Sequence, residues 1–210
     1  MPPPEIPIFP LPNVVLFPNV FLPLHIFEPR YREMVRDALN GDRLIGMVLL
    51  RNGLEQHSAE TPPVYPIGCS GLITHVERLP AGRYNIVLRG FEKFRVLDED
   101  HRRVYRLARV DSIAEPLNTD QRSQLQAERA KLEAVLERRL VAAGSESRVP
   151  REMPFDDLVN ALAQYLEFEP IEKQALLQRE GALDRCIALI ELLEMKLMVA
   201  DGSFPAGRVQ

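Results

Sequence analysis

The sequence predicts an α+β protein: a bent, partly closed β-barrel domain over residues 1–116, an all-α helical bundle over 117–200 and a flexible tail over 201–210. Three observations carry this expectation. Prolines crowd the first thirty positions while the residues between them stay apolar, strand-length apolar runs punctuated by turns fill the stretch to Ile113, and after Pro116 apolar residues recur at helical intervals amid charges. At 46% hydrophobic and 27% charged the composition is globular, and no stretch approaches the ~20 apolar residues needed to span a bilayer.

Proline fixes φ and withholds a donor, so the first thirty residues alternate short extended pieces with turns. Ile6, Ile8, Phe9, Val15, Leu16, Phe17 and Leu22 make this packed irregular strand rather than a tail. Pro29 opens a helix over Arg30–Asn40, where Tyr31, Met34, Val35, Ala38 and Leu39 share a face, and Gly41 stops it. Leu44–Leu50 has the length of a strand, and the polar stretch Arg51–Thr61 reads as a loop. Val64–Leu79 and Tyr84–Leu97 flank Pro80-Ala81-Gly82 as the arms of a long antiparallel hairpin. Tyr84, Ile86 and Leu88 share one face, Gly90 intervenes, and Phe91 falls out of phase, so a bulge or bend is expected near Gly90. Val104–Ile113 is one more strand. Asn118–Ala143, a second helix from Phe155, Ile171–Arg179 and Leu183–Ala200 follow as helices, joined through Gly144–Pro150 and Phe168–Pro170.

No catalytic constellation emerges. A phosphate-cradling GxxxxGK[ST] loop, an HExxH pair and a GxSxG elbow are all missing, so neither an ATP site nor a hydrolase is expected. His25, His57, His75 and His101 have no metal-ligand spacing, either together or with Cys69 and Cys186, so the sequence predicts no metal and no cofactor. The two cysteines read as reduced, buried thiols. The opening MPPPEIPIF lacks the pattern of a secretory signal, which makes the cytoplasm the expected address. Basic and acidic residues balance before Pro116, and Glu92, Asp98, Glu99, Asp100 and Asp111 interleave the strand cations Arg83, Arg89, Lys93, Arg95, Arg103, Arg106 and Arg109. That is the pattern of a solvated surface rather than a polyanion site.

The most concentrated signal is Leu24-His25-Ile26-Phe27-Glu28-Pro29-Arg30-Tyr31, where an extended segment turns into a helix. Phe21, His25, Phe27, Glu28, Arg30 and Tyr31 are the candidate substrate- or partner-binding residues, with the aromatic rings as amphipathic anchors. A structural role competes for three of them: Glu28 favours a helix N-terminus, Arg30 pairs with a carboxylate, and Tyr31 begins the helix core. The last helix carries more apolar residues than one face needs, and the surplus is expected to contact a partner or a second copy of the chain.

The segment Ile8-Phe9-Pro10-Leu11-Pro12-Asn13-Val14-Val15-Leu16-Phe17-Pro18, followed by Leu22 to Tyr31, closely resembles the opening of the Lon N-terminal (substrate-binding) domain family. Pro66-Ile67-Gly68-Cys69 and Gly82 to Gly90 resemble that family's later blocks in the same order, and a weaker likeness continues at Glu172–Leu177 and Arg185–Ile187. One departure is Asn19, where the family usually places glycine; asparagine also tolerates positive φ. The resemblance implies a PUA-like β-barrel followed by a helical bundle, here as a stand-alone, non-catalytic module linked to ATP-dependent proteolysis. The partners it implies are unfolded or tagged protein clients and a full-length Lon protease. The family's protease activity is not carried over, because the ATP loop is missing. No membrane partner is expected, and RNA binding is the alternative, resting on analogy of fold.

Overall fold

Two prolines inside the first strand show how the chain solves its own sequence. In the computed structural model, which describes residues 3–51, 62–142 and 153–200, β1 (Glu5–Leu11) pairs antiparallel with β6 (Leu107–Ile113) through Glu5–Pro7 and parallel with β3 (Leu44–Leu49) through Ile8–Leu11. The Ile8 amide donates to Arg106 O at 3.0 Å, so even-numbered residues of β1 face β6 and odd-numbered ones face β3. Pro7 therefore faces β3 before that ladder begins, and Pro10 faces β6 after that ladder ends. Neither proline costs a hydrogen bond.

β2 (Phe21–Ile26), α1 (Pro29–Asn40), β4 (Ile67–Leu79) and β5 (Arg83–Asp100) complete the first part of the chain. The sheet order is β2-β5-β4-β3-β1-β6, and β6 also pairs with β5, so β5, β4, β3, β1 and β6 close into a ring with β2 attached outside it. β5 makes this possible by changing partners. Arg89 to Tyr84 pair with β2 on one edge, and Lys93 to Asp100 pair with β6 on the same edge. The register against β4 slips between Gly71↔Gly90 and Cys69↔Lys93, which places a bulge where the sequence pattern loses phase, and Phe91 is left exposed there.

The core of this ring is Ile6, Ile8, Val48, Phe94, Ala108 and Val110, all buried, with Val64 and Val96 packed against it. The Phe17–Val20 turn seals one side of the barrel by lying on Gly90: Asn19 N donates to Gly90 O at 2.9 Å and Gly90 N to Val20 O at 2.8 Å. A Cβ at Gly90 would overlap the Phe17 carbonyl oxygen, so only glycine permits this approach. Asn19 sits at φ 60°, the left-handed conformation expected for the position where the resembling family has glycine.

Among the described residues four helices follow: α2 (Thr119–Ala142), α3 (Phe155–Tyr165), α4 (Pro170–Leu177) and α5 (Gly181–Ala200). They begin and end within a few residues of the predicted segments, whereas β6 starts at Leu107 rather than Val104. Two compact units result, one of Met1–Ala114 with Asn160–Gln178 and one of Glu115–Val159 with Arg179–Gln210, so α3 contributes to both. Within the first unit, Gln174 Nε2 donates to Ile67 O at 3.0 Å, which ties α4 to the start of β4. Within the second, Leu125, Leu132, Val135 and Leu136 of α2 and Cys186, Leu189 and Leu193 of α5 are buried. Arg185, wholly buried, donates to both oxygens of Glu115 at 2.8 and 2.9 Å, while Glu115 also accepts the Gly181 amide at 3.1 Å. Residues 52–61 of the predicted loop Arg51–Thr61, the connection Gly144–Pro150 and the tail Asp201–Gln210 lie outside the described residues.

Candidate functional site

β2 is the last strand of its sheet, and its free edge follows from the same parity argument. Val20 O accepts from Gly90, so Leu22 and Leu24 face β5, while Phe21, Pro23 and His25 turn their backbone groups outward. Pro23 thus withholds no bond from β5. The outward carbonyl of Phe21 accepts from Gln164 Nε2 at 3.0 Å and from the Tyr165 hydroxyl at 2.7 Å, and Gln164 Oε1 accepts from Phe17 N at 2.9 Å. With Asn160 donating to Pro18 O at 3.1 Å, α3 fixes the beginning of β2.

Opposed residues on adjacent strands point to the same face, so the register defines rows across the outside of β2, β5 and β4. Phe21, Arg89 and Leu72 form one row, with Leu44 of β3 beyond; Phe21 is 50% exposed and Leu72 36%. Pro23, Val87 and His75 form the next, and His25, Asn85 and Glu77 the third. In that third row Asn85 Nδ2 donates to Glu77 Oε2 at 2.7 Å, which leaves Asn85 Oδ1 as the acceptor for a proton on His25 Nδ1, 2.8 Å away. Phe27, 61% exposed, stacks on the His25 ring with centroids 6.0 Å apart.

Three of the six candidate residues lie elsewhere. Glu28 has extended φ/ψ at the start of α1 and makes no side-chain cap; its carboxylate pairs with Arg30 at 2.9 Å. The Arg30 guanidinium lies 4.5 Å above the Tyr31 ring, and that ring meets Phe9 at 4.2 Å. Tyr31 is only 6% exposed, and burial raises its hydroxyl pKa above the ordinary tyrosine value, against the pull of Arg30. Together with Pro10, Pro12, Arg103, Val104, Tyr105 and Arg106 these residues line a cleft of about 350 Å³.

Both the binding and the structural readings of this trio are therefore present in the geometry: Glu28 and Arg30 pair, Tyr31 packs, and all three face a concavity. The residues that complete the cleft come from the β5–β6 connection. Arg103 Nη1 donates to Asp37 Oδ2 at 2.7 Å and to the Tyr105 hydroxyl at 3.1 Å, and that hydroxyl donates to Asp37 Oδ2 at 2.8 Å. Burial, reinforced by the neighbouring Asp37 carboxylate, pushes Tyr105 up to about 12. Arg106 reaches Glu99 Oε2 at 3.3 Å and Pro62 O at 2.8 Å. In sequence Arg103 and Arg106 are two cations among several, and nothing in their spacing connects them to Tyr31.

Cys69 and Cys186 are buried thiols, and burial pushes Cys186 up to about 12. Among the described residues no group of three or more His, Cys, Asp or Glu is placed to hold a metal ion, and no helix is long and apolar enough to cross a membrane.

Residues 5–195 match the family model of the ATP-dependent protease La (LON) substrate-binding domain. The chain is similar to the Lon protease of Flavobacterium johnsoniae, 25% identical over 203 residues that make up 93% of this chain and 24% of that protein. It is also similar to Lon protease 2 of Myxococcus xanthus, 28% identical over 200 residues, or 92% of this chain and 24% of that protein. The chain thus spans about a quarter of the length of these relatives. Two solved structures share the fold: a Lon N-terminal domain protein from Xanthomonas campestris, with a TM-score of 0.61 and 24% identity over 89% of this chain and 97% of that one, and the N-terminal domain of Mycobacterium avium complex Lon protease, with a TM-score of 0.63 and 16% identity over 90% and 98%. Strand order, edge strand and helices carry one fold, the family model covers most of the chain, and by that match the chain belongs to the ATP-dependent protease La (LON) substrate-binding domain family.

Proposed function

We propose that this chain binds unfolded or tagged protein segments in the cytoplasm, in connection with ATP-dependent proteolysis, and does no chemistry of its own. The observation that carries the reading is the outer face of β2 in a member of a substrate-binding family: Phe21 and Phe27 stand 50% and 61% exposed on a backbone that α3 and β5 hold in place. Exposed aromatics on a rigid support are what apolar client segments require, because little ordering entropy is lost on the protein side. Arg102, Arg103 and Arg106 each pair with a carboxylate, which favours protein over RNA as the partner. A full-length Lon protease and a second copy of the chain, docking on Ile187, Met195 and Met198 of α5, are further partners within this reading.

The test is fluorescence anisotropy with a permanently unfolded, reduced and carboxymethylated client. Replacing both Phe21 and Phe27 by serine should weaken binding by about thirtyfold or more, since burying each ring contributes about 1–2 kcal/mol at an interface. Unchanged affinity in a variant with an unchanged melting temperature removes this face from consideration.

A further inference from the structure

The cleft beside α1 has a chemistry that apolar client binding leaves unexplained. Part of its wall is apolar, with Pro10, Pro12, Leu50 and Val104, yet Arg30, Arg103 and Arg106 line it too. Each guanidinium is paired with a carboxylate, Glu28, Asp37 and Glu99 respectively, so the three pairs are close to neutral in sum. Such an arrangement suits a single negative charge better than a multiply charged phosphate, whose second charge would meet Glu28 with no cation left to balance it.

The second observation is Tyr31. The residue as a whole is only 6% exposed, its ring packs on Phe9, and it lines the cleft. The charges that act most on this hydroxyl belong to Arg30, Glu28 and Arg106, all of them lining residues, which puts its polar end at the cleft wall. The hydroxyl is a donor at that wall that a ligand oxygen can accept from.

We propose that the cleft reads the C-terminus of a client chain: the terminal carboxylate accepts from the Tyr31 hydroxyl and the Arg30 guanidinium, and an apolar last side chain lies against Pro10, Pro12 and Val104. A volume of about 350 Å³ accommodates one apolar residue and its carboxylate. This site deepens the client-binding reading and rests on it. It assigns to the cleft a feature of the client, a free chain end, that exposed aromatics on β2 do not distinguish.

The probe is a fluorescein-labelled peptide Gly-Ser-Gly-Ala-Leu-Phe made with a free C-terminal carboxylate and, separately, with a C-terminal amide. Anisotropy titrations of the whole chain should show the acid bound at least tenfold more tightly than the amide, the range expected for charge-assisted hydrogen bonds to one carboxylate. Tyr31→Phe keeps the ring against Phe9 and should cost the acid about fivefold while leaving the amide unchanged, and the exposed Arg30→Gln should act in the same sense. Equal affinities for acid and amide overturn the proposal, as does an acid preference that survives both variants. Displacement of the acid by inorganic phosphate at concentrations where acetate has no effect also overturns it, in favour of a free-anion site. The unfolded client is titrated in parallel. Client binding with no acid preference removes this inference alone, and binding of neither client nor peptide removes the client-binding reading with it.

Discussion

Adding one methyl group at Gly90 should unfold this protein's barrel more readily than almost any surface change. In Gly90→Ala the new Cβ would overlap the Phe17 carbonyl oxygen, stand 2.8 Å from Phe17 C and 3.2 Å from Pro18 Cα, and meet backbone that no rotamer change can move. Relief requires the Phe17–Val20 turn to lift away. That movement lengthens the bonds from Asn19 N to Gly90 O and from Gly90 N to Val20 O, now 2.9 and 2.8 Å, at about 0.5–1.5 kcal/mol each. It also disturbs the seating of Phe17, which is fully buried, and overpacking of this kind costs about 1–3 kcal/mol. The expected loss is about 4 kcal/mol, close to three powers of ten in the folded-to-unfolded ratio. With no tryptophan in the chain, urea titration followed by far-UV circular dichroism is the assay. Phe91→Ala, at a half-exposed side chain one residue away, is the control and should shift stability by less than about 1 kcal/mol. A Gly90→Ala protein within 1 kcal/mol of the parent would refute the close-approach argument.

Two further outcomes are expected. Glu115→Ala removes the carboxylate whose two oxygens accept from Nη2 of the fully buried Arg185 and should cost about 3 kcal/mol, read as a fall in the melting temperature; a change below 1 kcal/mol contradicts the pairing. Tyr105 keeps its proton in the folded state up to about 12 and loses it near the ordinary value of 10 when unfolded. The unfolded state then binds fewer protons between these values. The Tyr105 contribution is therefore whole below about pH 10 and is lost as pH rises towards 12. Tyr105→Phe should flatten the pH dependence of stability in that window, measured by urea titrations at pH 9.5 to 11.5, and an identical slope in parent and variant would count against the Asp37 contact.

Much of the barrel is legible in the sequence because its signals are local. The Pro80-Ala81-Gly82 turn marks the hairpin, with Ala81 and Gly82 at positive φ, and the phase change at Gly90 marks the place where β5 changes partners. The left-handed Asn19 is foreshadowed by its match to a glycine position, and α1 announces itself through the spacing of Tyr31, Met34, Val35 and Ala38. The candidate site is less legible. His25 and Tyr31 are six residues apart in one motif, yet one faces outward on β2 and the other inward on α1, because the chain turns at Glu28-Pro29. The partners that give each its setting, Asn85 and Glu77 for His25, Arg103 and Arg106 for Tyr31, arrive from β4, β5 and the β5–β6 connection. Likewise Asn160, Gln164 and Gln174 sit on helices whose apolar periodicity says nothing of their bonds to Pro18, Phe17, Phe21 and Ile67. Single polar side chains reaching distant backbone leave no periodic trace.

The pairing of β1 with β6 has a consequence for how the protein is made. Glu5 meets Arg109 and Pro7 meets Leu107, so the ring closes only between segments about a hundred residues apart. Until a ribosome has released Leu107–Ile113, a nascent chain carries β1 with one open edge and the second half of β5 with another. Both edges carry unpaired backbone groups open to unwanted pairing with neighbouring chains, and β1 is the more apolar of the two. A chain stopped before Leu107 is thus an aggregation hazard rather than a smaller domain, and for part of its synthesis this protein presents the same exposed features as the unfolded chains it is proposed to bind.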